Sequence, residues 1–206
     1  MSKLTIGIVD YEVGNLASIR HALHALDYRH RVSSDPEVLD QTDLLLLPGV
    51  GAFPHAMKSL HVRGLDHFVR ERARHGKPVV GICLGMQLLA DSSTEMVETA
   101  GLGLIPGHVM ALTQPGWHIG WNNIEIIQDD PLFKGGDGLS VYFNHSYVFN
   151  APQKYQVAVA RFDRSNMPLP IAVRRDNVVG LQFHPEKSQQ DGRQLLSSVV
   201  EGLCRA

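Results

Sequence analysis

The stretch PVVGICLGMQLLA, Pro78–Ala90, decides how this chain is read. Its first part, Pro78–Ile82, has the length and apolarity of a buried strand, and from Leu84 to Ala90 a helical pattern begins. Cys83 stands at the junction, with Gly81 and Gly85 two residues to either side. A strand that turns sharply into a helix through G-x-C-x-G is the context of a nucleophile elbow. The turn forces its central residue into strained backbone angles, and the flanking glycines let neighbouring chain approach without a Cβ clash. It also sets the thiol at a helix N-terminus, where the dipole and unpaired N–H groups favour a thiolate. The N–H of Leu84 would then point at an oxyanion. Taken alone, the pattern fits a buried structural cysteine in a tight turn equally well.

Working outward, the first half alternates strand and helix. Residues 4–9 (LTIGIV) form a buried-strand run, and Leu16, Ile19, Leu23 and Leu26 fall on one face of a helix. A short strand follows near Tyr28–Val32. Asp35 before Pro36 is an N-cap followed by proline at the first helical position. DLLLLP (43–48) is apolar throughout, as in a strand covered on both faces. A helix is expected over Val62–His75, ended by Gly76, and then the strand 78–82. Such β-α alternation argues a mostly parallel sheet with right-handed crossovers.

After about residue 105 the texture changes. Strands are expected near 107–113, 121–127, 139–143, 156–162, 170–174 and 178–183, with a tight turn at Asp176-Asn177. A last helix carries Leu195, Leu196, Val199, Val200 and Leu203 on one side. The expected fold is α/β: a mostly parallel central sheet flanked by helices, with an antiparallel β extension in the second half, as one domain over 1–206. Open sheets of this kind bind ligands beyond the carboxyl ends of their strands, and Cys83 and Pro48-Gly49-Val50-Gly51 both lie at such ends.

A cysteine nucleophile needs a base, and the base an orienting group. GLQFHPEKS (180–188) offers both: a strand broken at Pro185, with His184 and Glu186 two residues apart. In extended chain, residues i and i+2 point to the same side, so a carboxylate can hold one imidazole nitrogen while the other faces the thiol. LPGVGAF (47–53) is a third element, a glycine loop able to aim backbone N–H groups at developing negative charge. It lacks the Lys-Ser/Thr of a P-loop, which makes nucleotide binding the weaker alternative.

Composition narrows the classes. The 206 residues are 44% hydrophobic and 19% charged, enough apolar content for a full core. A net charge of −2 gives no basic excess for a nucleic-acid backbone or an anionic membrane. No segment approaches the roughly 20 apolar residues of a membrane span. The start, MSKLTIGIVDY, is too short an apolar run for a signal peptide. With two distant cysteines, Cys83 and Cys204, a cytoplasmic protein with free thiols is expected. Among eleven histidines only His21 and His24 form a close helical pair, without a third ligand nearby, so no metal site is expected.

With the three segments together, the chain resembles the class I (triad-type) glutamine amidotransferases. Gly81-Ile82-Cys83-Leu84-Gly85 followed by Gln87 looks like their G-x-C-x-G-x-Q, and His184-Pro185-Glu186 matches their His-Pro-Glu. DYEVGNL (10–16), LPGVGAF with Ala56-Met57, HIGWN (118–122), YFNHSY (142–147) and QFHPEKSQ (182–189) are further similar, in order and spacing, to the glutaminase-subunit family of imidazole glycerol phosphate synthase. The elbow and His-Pro-Glu specify the superfamily; the first loop and HIGWN are the more family-specific parts. The likeness covers essentially the whole chain.

The resemblance implies roles by position. Cys83 would be the nucleophile, His184 the base and acid, and Glu186 its orienting partner. Gly51 and Leu84 N–H groups would form the oxyanion hole, with a peptide near Val50 that turns. Gly49, Gln87, Glu95, His145 and Ser146 would line the glutamine site, Glu95 suiting an α-ammonium. Asn15, Trp121, Tyr142 and Lys187 would face a (β/α)8-barrel cyclase subunit in a heterodimer. That subunit would use ammonia on N′-[(5′-phosphoribulosyl)formimino]-AICAR-ribonucleotide, giving imidazole glycerol phosphate and AICAR in histidine biosynthesis. No cofactor or metal is implied.

Two positions depart from the family. Glu12 stands where glycine is usual; if that site needs positive φ, it costs on the order of 1 kcal/mol. Trp117 stands where proline often precedes the histidine. Three alternatives remain open at this point: a paralogous glutaminase subunit feeding a sugar-modifying synthetase, a cysteine-type α/β hydrolase, and a non-catalytic scaffold. In the hydrolase the acid usually precedes the histidine by a long stretch. The scaffold would be expected to have lost a triad member, and none is missing.

Overall fold

Leu44–Leu47 shows how the molecule is layered. All four leucines have no exposed surface, yet they serve two cores. Leu44 and Leu46 pack with Ile6, Ile8, Ile19, Leu23, Leu195 and Val199 on one face, whereas Leu45 and Leu47 pack with Val9, Leu60, Val69, Val79 and Met86 on the other. A strand whose alternate side chains feed opposite cores must lie inside a sheet covered on both sides. The computed structural model describes residues 3–113, 116–161 and 167–205.

The parallel half is built from β1 (Thr5–Val9), α1 (Leu16–Ala25), β2 (Arg29–Ser33), α2 (Pro36–Asp40), β3 (Leu44–Leu47), α3 (Phe53–Val62), α4 (Leu65–Arg74), β4 (Val79–Ile82) and α5 (Leu84–Leu88). There follow β5 (Ser92–Ser93), β6 (Thr99–Ala100), β7 (His108–Ala111), β8 (His118–Asn123), β9 (Glu125–Ile126), β10 (Ser140–His145), β11 (Tyr147–Asn150), β12 (Gln156–Ala160), β13 (Leu169–Arg175), β14 (Val178–Leu181) and α6 (Gln189–Arg205). The central sheet runs β2-β1-β3-β4-β14-β13-β12-β9. It is parallel from β2 to β14 and antiparallel from there to β9. β8 and β10 form a separate antiparallel ribbon, and β11-β7-β5-β6 a small third sheet. This is the expected α/β architecture.

Local chemistry sets most boundaries as expected. Asp35 accepts from the Glu37 N–H and caps α2, with Pro36 in its first turn. The β13–β14 turn falls at Asp176, at φ 53°. On α6, Leu195, Leu196, Val199, Val200 and Leu203 are all buried, each worth roughly 2 kcal/mol of apolar transfer as an upper bound.

Three expectations need correction. The helix expected over Val62–His75 is α4, which starts only at Leu65; a further helix that was not expected, α3, ends at Val62, and Gly64, with its left-handed φ of 67°, lets the chain turn between them. The start of α3 was legible: Pro54 sits in its first turn, and Phe53, Ala56, Met57 and Leu60 keep a helical spacing. The strand expected at 121–127 begins instead at His118 and is split at Ile124, whose N–H turns to the Leu139 carbonyl. β5, β6 and β11 carry no period long enough to be recognised. The expected end of the 156–162 strand, Phe162, lies outside the described residues.

Candidate active site

β4 delivers Cys83 to the carboxyl end of the sheet, where the chain breaks into α5. Cys83 adopts φ 53° and ψ −110° and is the residue immediately before the helix. A non-glycine residue in such a conformation is strained, and the surroundings impose it. The Cys83 N–H is held by the Leu181 carbonyl at 2.7 Å. A Cβ on Gly85 would stand 1.9 Å from the Leu47 carbonyl oxygen, and one on Gly81 would stand 2.4 Å from the Gly85 oxygen. Both glycines are therefore required by close backbone approach, as the sequence implied.

β14 runs parallel beside β4 and brings His184 to the same end. Beyond Leu181 the chain leaves the sheet, and Pro185 opens a 3-10 turn over Pro185–Lys187. His184 and Glu186 therefore meet across a turn and not along extended chain as expected; proline's fixed φ makes the difference. His184 Nδ1 lies 2.8 Å from Glu186 Oε1, with both side chains almost wholly buried. Burial by itself would lower the His184 pKa. The neighbouring Cys83 and Glu186, both negative when ionised, outweigh it and raise the value to about 9. An imidazolium beside a thiol is what a thiolate nucleophile requires.

These groups open on a pocket of about 220 Å³. Val50, Gly51, Cys83, Leu84, Gln87, Glu95, His145, Ser146, His184 and Lys187 all line it, together with Asn144 and Tyr147. Gly49 lies behind the lining: a Cβ there would meet Leu84 Cβ at 2.7 Å and the Gly85 nitrogen at 2.8 Å. The Gln87 side-chain N–H2 donates to the Tyr147 carbonyl at 3.1 Å and to Gln182 Oε1 at 3.0 Å. Glu95 Oε2 accepts from the Phe53 N–H at 2.8 Å.

The four residues expected at an interface do not form one group. Trp121, half exposed, meets Tyr142 edge-on at 6.0 Å; Lys187 Nζ lies 6.0 Å over the Tyr142 ring, which in turn lies 6.4 Å from the His184 ring. These three lead from the surface to the histidine. Asn15 instead caps α1, accepting from the Ser18 N–H at 3.4 Å. Glu12 does adopt positive φ, 63°, and its carboxylate pairs with Arg63 at 2.6 Å. Trp117 is more than half exposed.

Sequence reasoning missed several residues here. Gln182 Nε2 lies 3.8 Å from Cys83 Sγ, and the thiol lies 3.9 Å from the Asn144 carbonyl oxygen. Tyr11 is fully buried and its hydroxyl donates to the Pro48 carbonyl; burial, then the nearby Cys83 charge, push its pKa up. His118 Nδ1 lies 3.2 Å from His145 Nε2, and His145 Nδ1 lies 2.8 Å from the Tyr147 carbonyl. A carbonyl only accepts, so His145 carries its proton on Nδ1 and His118 donates to its Nε2. The only available signal was that Tyr11, His118 and Gln182 lie inside the quoted family segments.

Elsewhere, both cysteines are free thiols. Among the described residues no group of His, Cys, Asp and Glu side chains could hold a metal ion, and no helix is long and apolar enough to cross a membrane.

A strained thiol between strand and helix, with a His–Glu pair beside it on an α/β sheet, has the make-up of a thiol-dependent acyl-transfer site. The comparisons with known proteins agree in class. Residues 7–200 match the family model described as Glutamine amidotransferase class-I. A structure titled "Crystal structure of glutamine amidotransferase" superposes with a TM-score of 0.76 at 22% identity, covering 98% of this chain and 99% of that one. The imidazole glycerol phosphate synthase subunit HisH of Listeria monocytogenes serotype 4a (strain HCC23) is 46% identical over 200 residues, 95% of each chain. That of Streptococcus gordonii (strain Challis) is 42% identical over 198 residues, 94% of each chain. The chain belongs to the class I glutamine amidotransferases and, within them, to the imidazole glycerol phosphate synthase HisH subunits.

Proposed function

We propose that this chain, acting as one domain, is the glutaminase subunit of imidazole glycerol phosphate synthase, hydrolysing glutamine and delivering ammonia to a cyclase partner. The observation that carries the reading is Cys83 at positive φ in the pocket that His184 also lines, with His184 bonded to the buried Glu186. The Cys83 thiolate attacks the side-chain amide carbon of glutamine. N–H groups of Gly51 and Leu84 receive the oxyanion, with the Val50–Gly51 peptide turning toward it. His184 gives its proton to the leaving nitrogen, so ammonia departs and a thioester remains. His184 then takes a proton from water, hydroxide attacks the thioester carbon, and the C–S bond breaks, releasing glutamate and regenerating the thiolate beside the His184 imidazolium. The sum is glutamine plus water giving glutamate plus ammonia.

Glutamine is held in this reading by Gly49, Gln87, Glu95, His145 and Ser146, with the Glu95 carboxylate taking the α-ammonium. Ammonia is a nucleophile only while unprotonated, so it needs a dry route to its acceptor. The (β/α)8-barrel cyclase subunit would supply that route, docking in a heterodimer over the Trp121–Tyr142–Lys187 surface and the loop carrying Asn15. Its products would be imidazole glycerol phosphate and AICAR, made in the cytoplasm for histidine biosynthesis. The names of the relatives support this acceptor over a sugar-modifying synthetase.

The test is glutamate release from glutamine by the chain alone, with the cyclase subunit, and with that subunit plus its nucleotide substrate. A large rise with partner and nucleotide, absent in Cys83→Ala, is expected. Cys83-dependent release indifferent to the cyclase would move the protein to another acceptor. No release from folded protein under any condition would overturn the glutaminase reading.

A further inference from the structure

The loop between β3 and α3, Pro48–Ala52, carries the oxyanion-binding peptide, and the structure fastens it at both ends. At its start, the buried Tyr11 hydroxyl donates to the Pro48 carbonyl, and Gly49 is wedged against Leu84 and Gly85. At its end, α3 begins with a defect. A helix leaves its first N–H groups unpaired, and a side-chain oxygen at the residue before the helix usually accepts one. Here that residue is Ala52, which has no such oxygen. The cap comes from 42 residues away: Glu95 Oε2 accepts the Phe53 N–H at 2.8 Å. Between the fastenings, Val50 is 41% exposed, and Gly51, at φ 106°, has no atom within 4 Å of where a Cβ would stand. The freedom to turn is confined to that short stretch.

Glu95 is itself anchored, its N–H donating to the hydroxyl of the fully buried Ser93 at 3.1 Å. It also lines the pocket with Val50, Gly51 and Cys83. A carboxylate offers about four acceptor positions, so one oxygen can keep the Phe53 N–H while the other takes a cation. The positive end of the α3 dipole favours the same charge.

We propose that Glu95 is a positioning residue for the oxyanion loop as well as the seat of the substrate ammonium, so that filling the ammonium site and ordering the Val50–Phe53 segment are linked. An α-ammonium on Glu95 fixes the rotamer of the carboxylate that caps α3, and through Phe53 it fixes the end from which Gly51 swings. Substrate bound at one end of the pocket thereby prepares the N–H that serves the other end. The inference rests on the reading of this pocket as a glutamine site.

The test uses the complex with the cyclase subunit and its nucleotide, and compares glutamine with glutaramate, the same amide lacking the α-amino group. If Glu95 only binds ammonium, its loss leaves glutaramate hydrolysis untouched. If it also caps α3, Glu95→Ala lowers kcat on glutaramate about tenfold. Glu95→Gln, whose amide oxygen still accepts the Phe53 N–H, keeps most of that kcat while KM for glutamine rises in both variants. Equal kcat on glutaramate in wild type and Glu95→Ala, with both folded, overturns the proposal. A second readout serves if glutaramate turns over too slowly or Glu95→Ala does not fold: amide hydrogen exchange over 50–53 in Cys83→Ala. Saturating glutamine should slow exchange there and saturating glutaramate should not; no slowing by glutamine, or equal slowing by both, overturns it. Loss of all Cys83-dependent glutamate release in the wild-type complex would instead sink the glutaminase reading, which the exchange measurement does not test.

Discussion

His184 Nδ1 and Glu186 Oε1 stand 2.8 Å apart across a single proline, and both side chains are shut off from solvent. The carboxylate fixes which imidazole nitrogen faces Cys83 and stabilises the imidazolium. Glu186→Gln removes the charge and keeps the shape. It is expected to lower kcat for glutamate release roughly 10²–10⁴-fold, the range of a lost acid–base group. KM for glutamine should change little. Because Glu186 is one of the groups that raise His184 to about 9, the pH limb reporting His184 should move down in this variant. An unchanged kcat and pH profile would remove Glu186 from the orienting role.

His118 and His145 predict acid sensitivity. Burial, then the neighbouring His145, lowers His118 from the ordinary 6.5 to about 3; burial, then the His184 charge, lowers His145 to about 4 against the raising effect of its bond to Tyr147. Below pH 6.5 the unfolded chain therefore binds protons that the native state refuses. The stability contributed is present above 6.5 and is lost as pH falls toward 4 and then 3, with a slope of up to about 1.4 kcal/mol per unit for each group. Denaturant midpoints measured from pH 7 to 4 should fall, and His145→Asn should flatten the fall. Identical slopes in the two proteins would contradict the assignment.

Gly85 has no room for a methyl group. Its Cβ would lie 1.9 Å from the Leu47 carbonyl oxygen, a backbone atom fixed between β1 and β4. Gly85→Ala should destabilise by roughly 3 kcal/mol or more, or prevent folding. Gly138 (φ 77°, with open space around its Cβ) is the control and should cost only about 1 kcal/mol as Gly138→Ala. Urea melts of the pair distinguish close approach from conformational cost; equal losses would count against the packing argument.

Glu12 holds a left-handed conformation in which glycine is at ease. Its ion pair with Arg63 is to a largely exposed carboxylate and is worth at most about 1 kcal/mol. Glu12→Gly should be neutral to stabilising by up to about 1 kcal/mol, since relief of φ offsets the lost pair. Glu12→Ala loses the pair and keeps the strain, so it should be the less stable of the two. Thermal melts that place Glu12→Gly below Glu12→Ala would contradict the strain argument, and Glu12→Gly falling well below the wild type would show that the ion pair dominates.

Much of the site was legible because its parts are local. G-x-C-x-G between an apolar strand and a helix, His-Pro-Glu at a strand end and Pro-Gly-Val-Gly after Leu47 each reveal a turn by their own residues. The positive φ at Glu12 followed from an unusual residue in a glycine position. The join between α3 and α4 was less legible, because both helices are amphipathic and only Arg63-Gly64 separates them.

By itself, then, the sequence determined the alternation of strands and helices, the elbow that carries Cys83, and the pairing of a histidine with a carboxylate two residues on. Backbone sterics and side-chain periodicity act within a few residues of each other and are written locally. Only the tertiary structure decided which distant groups complete the site: Gln182 against Cys83, Tyr11 on the Pro48 carbonyl, His118 behind His145, and Glu95 capping a helix 42 residues away. These contacts depend on which strands neighbour one another and on small gaps between packed elements. A hydrogen bond that forms within about 3 Å leaves no trace in the period of either segment it joins.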